Sequence, residues 1–456
     1  MFTIATILVI CSSIASFFIH LNNDVYTVLF NTSKPYENIY TDIVDGIYKP
    51  LFMNRELCRK AITGSGDVDR WFDREFLANY CVNGSVYPLP YRDYKFEYPP
   101  ITGFLWIIST YTAYSLSGLN NTVGETIHYI IQSIALSIAC IWVFIEFYRI
   151  GKKIGVSHRL LKLLLFPLLP SLLVYSIYNW DLIAAAFTLT SIRLFIEKKY
   201  LFSGLFIGLG ISAKLLPLSI ALVLGYELYA SKSYKLLARY AIGTCIGLTP
   251  YLVFILYPHG FIEFIRHHAG WYCENCIYMY IISDIWSQYH RVLALMSIAI
   301  ALTIIAILPY KSGDKGVVGK ACLAISFTIV LNYVFSPQMI LLTTPFILLA
   351  ITSIKELVTY LIADTLNSLI MIYWFKELEL RKTLSFLGIP IKYSPWTPDS
   401  PIQLMALIRS LLLIIVLLAI AWKTLSLTIG TETIESSIDT ESSGESGSGA
   451  DIESRQ

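Results

Sequence analysis

Apolar runs close to the length that crosses a bilayer recur along most of this chain, and they limit its fold more than any other feature. A transmembrane helix needs about 20 mainly apolar residues to cross the hydrocarbon core. Only 14% of the 456 residues are charged, whereas soluble proteins carry about 25%. The sequence therefore predicts an all-α polytopic membrane protein, and it excludes a soluble enzyme, a disordered scaffold and a nucleic-acid binder.

The basic residues predict the topology, because Lys and Arg in short loops stay on the cytoplasmic side of the membrane. These residues cluster at 149–162, 193–199, 232–239 and 311–320. The apolar stretches around these clusters predict about twelve crossings, with both termini in the cytoplasm. The loops around 179–181, 258–289 and 336–338 are then predicted to face outward.

This topology divides the chain into four parts. Residues 1–20 form the first transmembrane helix, and 21–127 form a large external loop with membrane-lying helices. Residues 128–430 form a multi-helix transmembrane domain with an external loop at about 258–289. Residues 431–456 are acidic and rich in Ser and Gly, which predicts a disordered cytoplasmic tail. Within the first loop, the apolar segment 101–118 is predicted not to cross, because a crossing there would place every basic cluster outside.

Four of the eight cysteines lie in the predicted external loops, where disulfides can persist. We expect a disulfide between Cys58 and Cys81 that staples the first loop. Cys273 and Cys276 have the spacing of a redox motif, but the βαβ context of thioredoxin-like proteins is missing. No ordered set of His and Cys accompanies them, so no metal site is expected.

Two cations fall within apolar segments, where ionisable side chains are costly and usually mark a functional site. Lys214 lies at the predicted turn between two half-length helices in 201–230, and Arg409 lies near the outer end of a predicted helix. Cations at this depth suit the phosphate of a lipid whose tail lies in the bilayer. The alternatives are a turn lysine that reaches water and an arginine that snorkels to the interface.

The external loops also bring carboxylates close to the membrane surface. Asp42 follows the first helix by about twenty residues and suits a general base that deprotonates an acceptor hydroxyl. With the usual Asp pKa of about 3.9, it would be ionised at neutral pH without special tuning. The alternative is a solvated or helix-capping aspartate. Further candidates for contact with substrate are Asp93, Glu97, Tyr98, Asn179, Asp181, His267, His268 and Glu274.

At these residues the sequence resembles the C-type (GT-C) polyprenyl-phosphate-dependent glycosyltransferases, and most closely glycosyltransferase family 87. The resemblance covers about residues 1–350, and its segments follow the order of the family. They are 40–43 (YTDI), 90–100 (PYRDYKFEYPP), 179–182 (NWDL), 208–214 (GLGISAK) and 336–338 (SPQ). The family's loop motif with His and Glu-Ser is matched only in part, by His267, His268, Glu274 and Asn275.

The resemblance implies transfer of a hexose, mannose in the first place, from a polyprenyl- or dolichyl-phosphate donor to an acceptor hydroxyl. Asp42 matches the catalytic aspartate of the family's first loop, and Gln338 joins the residues expected to bind substrate. The expected mechanism is a single inverting displacement in which Lys214 and Arg409 stabilise the departing lipid phosphate. Because phosphate is a good leaving group, no metal or other cofactor is expected.

The expected partners are the lipid-linked donor, a glycan, glycolipid or glycoprotein acceptor, and the bilayer itself, with no nucleic acid. The expected location is the cell membrane, with the site facing outside. The competing prediction is a transporter or a flippase for lipid-linked glycans. Such a protein would carry broken helices in two related halves, whereas the sequence shows one short broken pair, around Lys214.

Overall fold

The computed structural model describes residues 2–442, except for 36, 38, 85, 309–312, 376–381, 384, 387 and 389–395, and it describes side chains as far as residue 423. Within these residues the fold is all-α and contains no strand. The helices before residue 200 are α1 (Phe2–His20), α2 (Asn23–Phe30), a π-helix (Asp42–Met53), α3 (Arg55–Thr63), α4 (Arg74–Asn83), α5 (Pro100–Ser117), α6 (Thr122–Lys153), α7 (Arg159–Leu165), α8 (Pro170–Tyr175) and α9 (Asp181–Ile196). The later helices are α10 (Tyr200–Ala213), α11 (Leu218–Ala230), α12 (Tyr234–Gly247), α13 (Val253–Leu256), α14 (Pro258–Gly270), α15 (Tyr289–Ile307), α16 (Asp314–Val330), α17 (Ile340–Ala350), α18 (Ile354–Phe375) and α19 (Pro401–Ser442).

Five of the described helices are long and apolar enough to cross a membrane. They are α1, α6, α15, α18 and the Pro401–Lys423 part of α19. Helix α12 and the segment Thr249–Leu256 together form a pair bent by 46°, which brings the number to six if the pair is one span. The sequence predicts about twelve crossings, and the difference arises because several apolar runs form helices too short to pass alone, such as α10 and α11.

Two predictions from the sequence concern α5 and the end of α19. Helix α5, in the segment predicted not to cross, is not one of the five long apolar helices, and its place relative to the bilayer stays a prediction. Helix α19 continues to Ser442, into the segment where the sequence predicts disorder. The rest of the predicted tail, 443–456, lies outside the described residues.

The break predicted near residue 214 is present, since α10 ends at Ala213 and α11 begins at Leu218. Helix α10 packs closely against α12, and glycines face each other across the contact. A Cβ atom on any of four of them would overlap backbone atoms of the opposite helix, so only glycine permits this approach. The four are Gly204, Gly208, Gly243 and Gly247.

Residues 21–127, here called the loop region, contribute most of a second apolar core beside the main helical core, and later helices complete it. A disulfide between Cys58 and Cys81 joins α3 to α4. Large aromatic side chains fill the space under these helices, and the indole Nε1 of Trp106 donates a 2.8 Å hydrogen bond to the hydroxyl of Tyr94. The loop region is therefore a folded unit whose π-helix faces the transmembrane helices.

Candidate functional site

A cavity of about 1060 Å³ lies between the loop region and the later parts of the chain. Its walls come from parts of the chain that are far apart in sequence, from Tyr40 to Trp396. Nine of the predicted site residues line it: Asp42, Glu97, Tyr98, Asn179, Lys214, His267, His268, Glu274 and Gln338. The structure thus brings most of the candidate residues to one place.

Asp42 is the first residue of the π-helix, and local hydrogen bonds fix its position. The hydroxyl of Thr41 caps the helix by accepting from the amide of Ile43 at 3.3 Å, and it donates to the carbonyl of Tyr178 at 3.0 Å. Asp45 turns back and accepts from the amide of Thr41 at 3.1 Å. These contacts hold the start of the helix against the turn before α9, and Asp45 is not among the residues that line the cavity.

Two neutral groups hold the Asp42 carboxylate. The hydroxyl of Tyr98 donates to Oδ2 at 3.0 Å, and Nδ2 of Asn179 donates to the same oxygen at 2.8 Å. Within the described part of the chain Oδ1 receives no such bond, so it is the oxygen left to accept a proton from a ligand. Burial, followed by the negative charge of Glu97, raises the pKa of Asp42 to about 7, although the two hydrogen bonds act in the opposite direction. The expectation of an untuned aspartate is therefore wrong, because its surroundings disfavour the charged form.

Lys214 follows α10 in an extended conformation and forms an ion pair with Asp181, the first residue of α9. The Asp181 side chain is 1% exposed and the Lys214 side chain 16% exposed. Lys214 lines the cavity and Asp181 does not, so Asp181 stands behind the lysine rather than beside a ligand.

Arg409 does not line the cavity, because it is fully buried within the protein. Its guanidinium donates to Oδ1 of Asn367 at 3.0 Å and to the carbonyl of Asn275 at 3.2 Å. It also lies 3.5 Å from the ring centroid of Phe335. Both terminal nitrogens of the guanidinium have partners inside the protein, and the side chain is fully buried. We therefore assign Arg409 to holding the chain beneath the cavity wall, which replaces both a phosphate contact and snorkelling.

Asp93 is also directed away from the cavity. Its carboxylate accepts from the amide of Leu89 at 2.7 Å and from the guanidinium of Arg92 at 2.7 and 2.8 Å. The side chain therefore closes the turn at 89–93, and this role replaces the predicted contact with substrate.

Sequence reasoning missed three further cations that line the cavity: Arg70, Lys95 and Arg266. Arg70 donates to the carbonyl of Gly46 at 2.9 Å, at the π-helix. Glu263 forms ion pairs with Arg266 and, at 3.9 Å, with Lys95. They lie in polar segments where charged residues are common, so the sequence gives no signal that separates them from solvated ones.

Four further polar residues belong to the cavity lining: Trp271, Glu274, Asn275 and Gln338. The indole of Trp271 donates to Glu274 at 2.8 Å, and burial raises the pKa of Glu274. Oδ1 of Asn275 and Oε1 of Gln338 are buried and have no hydrogen-bond partner among the described residues. Both are acceptors, so each could receive a hydrogen bond from a hydroxyl-rich ligand.

The two predicted histidines lie side by side on α14. The His267 ring is 3.5 Å from Glu97. Nδ1 of His268 donates to the carbonyl of Phe264 at 2.8 Å, and burial lowers the pKa of His268. His268 is therefore a neutral imidazole that can accept a hydrogen bond through Nε2.

One side of the cavity is apolar, because the end of α18 contributes Ile370, Met371, Trp374 and Phe375. The Phe375 ring stacks on Tyr40 with centroids 4.5 Å apart. The cavity thus joins a carboxylate and several cations to an aliphatic and aromatic wall. No family model matches the chain, and a search of curated proteins finds no relative, so we interpret this cavity from its own geometry.

Proposed function

We propose that this chain is a membrane glycosyltransferase that moves a hexose, mannose in the first place, from a polyprenyl- or dolichyl-phosphate donor to an acceptor hydroxyl. The observation that carries the proposal is the position of Asp42. It combines a carboxylate of raised pKa with a free Oδ1, in the same cavity as Lys214. Acid–base chemistry on a hydroxyl needs a base whose pKa is near the working pH, and a value of about 7 meets that need.

The cations support a donor that carries a phosphate. Lys214 is held by Asp181, so its position is set before a ligand enters. Arg70, Lys95 and Arg266 line the same cavity, and the last two share Glu263. Fixed positive charges of this kind stabilise the negative charge that develops on a departing phosphate.

The polar and apolar walls support a donor that is both a sugar and a lipid. The unpartnered oxygens of Asn275 and Gln338 suit sugar hydroxyls, which are donors. The side formed by the end of α18 suits a polyprenyl chain that enters from the bilayer. A site for a soluble sugar phosphate would not need such a wall.

In the proposed reaction, Asp42 Oδ1 takes the proton from the acceptor hydroxyl as that oxygen attacks the anomeric carbon. The bond from that carbon to the phosphate oxygen breaks, and the lipid phosphate leaves with the electron pair next to Lys214. Tyr98 and Asn179 hold the carboxylate in place through Oδ2. One displacement inverts the configuration, so a β-linked donor gives an α-linked product.

The proposal includes a topology. We place the cavity on the external face of the cell membrane, with the loop region outside. Helices α10 and α11 and the other short apolar helices then complete about twelve passes. The acceptor is a glycan, a glycolipid or a glycoprotein reached from outside.

The test is transfer of a radiolabelled hexose from synthetic polyprenyl-phosphate hexoses by the purified protein in lipid nanodiscs. We expect label to move from the lipid to an added glycan acceptor, and an Asp42→Asn variant to lose this transfer. If no donor in a panel of hexoses is consumed while the protein in vesicles moves the lipid-linked sugar between leaflets, the chain is a flippase and the proposal is wrong.

A further inference from the structure

Three buried side chains of metal-ligating type meet outside the main cavity: Cys273, Cys276 and His290. In the described part of the chain, they form the one group of three or more His, Cys, Asp or Glu whose donor atoms all lie within 4.8 Å of one another. Each is at most 3% exposed. Cys273 and Cys276 are joined by a disulfide here. The spacing of the two cysteines can be recognised in the sequence. The sequence does not show that His290 joins them, because it lies fourteen residues after Cys276, at the start of α15.

The hydrogen bonding of His290 leaves one ring nitrogen free for a ligand. Nε2 lies 2.9 Å from the carbonyl oxygen of Asp284, and since a carbonyl only accepts, Nε2 carries the proton. Nδ1 is then a lone-pair donor, and it is buried without a hydrogen-bond partner among the described residues. A backbone carbonyl that fixes the tautomer in this way is the usual support behind a histidine that binds a metal.

The turn that contains Asp284 and Ile285 holds both the histidine and one of the cysteines in place. The carbonyl of Asp284 accepts from His290, and the next carbonyl, of Ile285, accepts from the amide of Cys273 at 2.8 Å. Apolar side chains pack around the group, including Met279 and Ala294. The fold thus holds the three donor atoms in a buried pocket.

We propose that the reduced form of this group binds a zinc ion through the two thiolates and Nδ1 of His290. A thiol or phosphine reductant gives the disulfide two electrons, and two protons complete the two thiols. Zinc then replaces both thiol protons, which are released, and bonds to the two sulfur atoms and the imidazole nitrogen. The disulfide and the zinc complex are alternative states of one site.

The geometry and the chemistry of the donors fit zinc. Tetrahedral zinc with bonds of about 2.0–2.3 Å needs donor atoms about 3.5–3.8 Å apart, so the two sulfur atoms must move apart once the disulfide is reduced. The three donor atoms already lie within 4.8 Å of one another, so a small movement suffices. Thiolate with imidazole is the donor set that zinc prefers over magnesium or calcium. Three protein ligands leave a fourth position open for water or a small anion.

The test compares two disulfides in the same chain. Purified full-length protein in detergent is reduced with a phosphine, supplied with zinc, desalted and assayed for bound metal, and cobalt serves as a spectroscopic probe of thiolate coordination. We expect one zinc per reduced chain, none per oxidised chain, and a thiolate-to-cobalt charge-transfer band. His290→Ala should weaken zinc binding at least about tenfold, the loss already typical of removing an outer-shell partner.

The Cys58–Cys81 pair is the matched control, because reduction frees it as well. A Cys58→Ser/Cys81→Ser double variant should keep the bound zinc, and Cys273→Ser/Cys276→Ser should lose it. Absence of zinc from the reduced wild-type chain, or binding that His290→Ala leaves unchanged, overturns the proposal.

A second measurement uses only the wild-type chain, so it does not depend on whether a variant folds. In the reduced wild-type chain, zinc should slow alkylation of Cys273 and Cys276 but not of Cys58 and Cys81, as read by mass spectrometry. If zinc does not slow alkylation of Cys273 and Cys276, or slows alkylation of both pairs equally, the proposal is also overturned.

Discussion

The loop region and the helices that follow it each bring one central charge to the cavity, and they hold it in different ways. Asp42, from the loop region, is held by the neutral donors Tyr98 and Asn179. Lys214, from the helical part, is held by the opposite charge of Asp181. Burial and the charge of Glu97 raise the pKa of Asp42 to about 7 despite the two neutral donors, whereas in the ion pair each charge is compensated by the other. The loop region is therefore suited to moving a proton, and the helices are suited to presenting a fixed charge.

This difference predicts that a change at Asp42 alters chemistry without altering the fold. Asp42→Asn keeps the size of the side chain but removes the proposed base, so turnover should fall about 10²–10⁴-fold. Donor affinity and thermal stability should stay close to wild type. Single-turnover transfer of a labelled hexose measures the loss.

Asp45→Asn is the control for Asp42→Asn, because Asp45 is one helical turn away and bonds to the backbone of Thr41. It should cost much less turnover. If Asp45→Asn abolishes transfer and Asp42→Asn remains active, the base is misassigned.

A change at Lys214 should instead affect stability, because it leaves a buried charge without its partner. Lys214→Met strands Asp181, whose side chain is 1% exposed, and breaking such a pair typically costs about 3–5 kcal/mol. Chemical or thermal unfolding in detergent measures this loss. A Lys214→Met/Asp181→Asn double variant should recover most of the stability while donor binding stays weak. Equal stability of the single and double variants would show that the pair does not hold this part of the fold.

The contact between α10 and α12, which places Lys214, predicts a smaller effect. A Cβ on Gly243 would overlap backbone atoms of Leu201 and Leu205, so Gly243→Ala should destabilise the protein by about 1–3 kcal/mol. Gly225 on α11 is the control, since its Cβ would meet only Leu237, at 4.0 Å. Gly225→Ala should be neutral or stabilising by up to about 1 kcal/mol. The same unfolding experiment measures both, and opposite signs are the expected result.

Changes at two neighbours of Asp42 should have the smallest effects. They should shift the pH dependence of activity in opposite directions. Glu97→Gln removes a negative charge that raises the pKa of Asp42, so the pH at which activity is half-maximal should fall. Tyr98→Phe removes a hydrogen bond that lowers the same pKa, so that pH should rise. The pH dependence of kcat/KM measures both shifts. Shifts in the same direction would mean that another group controls the rate.

Hydropathy alone predicts the all-helical membrane class, and the helices of the structure agree with it. The break before Leu218 follows from the short distance between two basic clusters, and it lies where predicted. Features of this kind can be read from the sequence because they depend on local composition and spacing.

Features that depend on distant partners could not be predicted in this way. The raised pKa of Asp42 comes from its burial and from the charge of Glu97, and Tyr98 and Asn179 oppose it; the fold brings all three residues to Asp42 from far along the chain. The sequence predicts that Arg409 binds a lipid phosphate or snorkels to the interface, and only its partners in the fold show that it is buried beside backbone carbonyls. Hydropathy also does not show which apolar runs form helices of full spanning length, and five or six described helices have that length.

The pH dependence of sugar transfer tests the central role of Asp42 most directly. Only the ionised carboxylate accepts a proton, and its ionised fraction increases with pH. We therefore predict that kcat/KM of the wild-type protein rises with pH and is half-maximal near the Asp42 pKa of about 7. In Asp42→Asn this limb should be absent from the residual activity. A wild-type rate that does not change with pH across neutrality, or a limb that persists unchanged in Asp42→Asn, would contradict the assignment of Asp42 as the base.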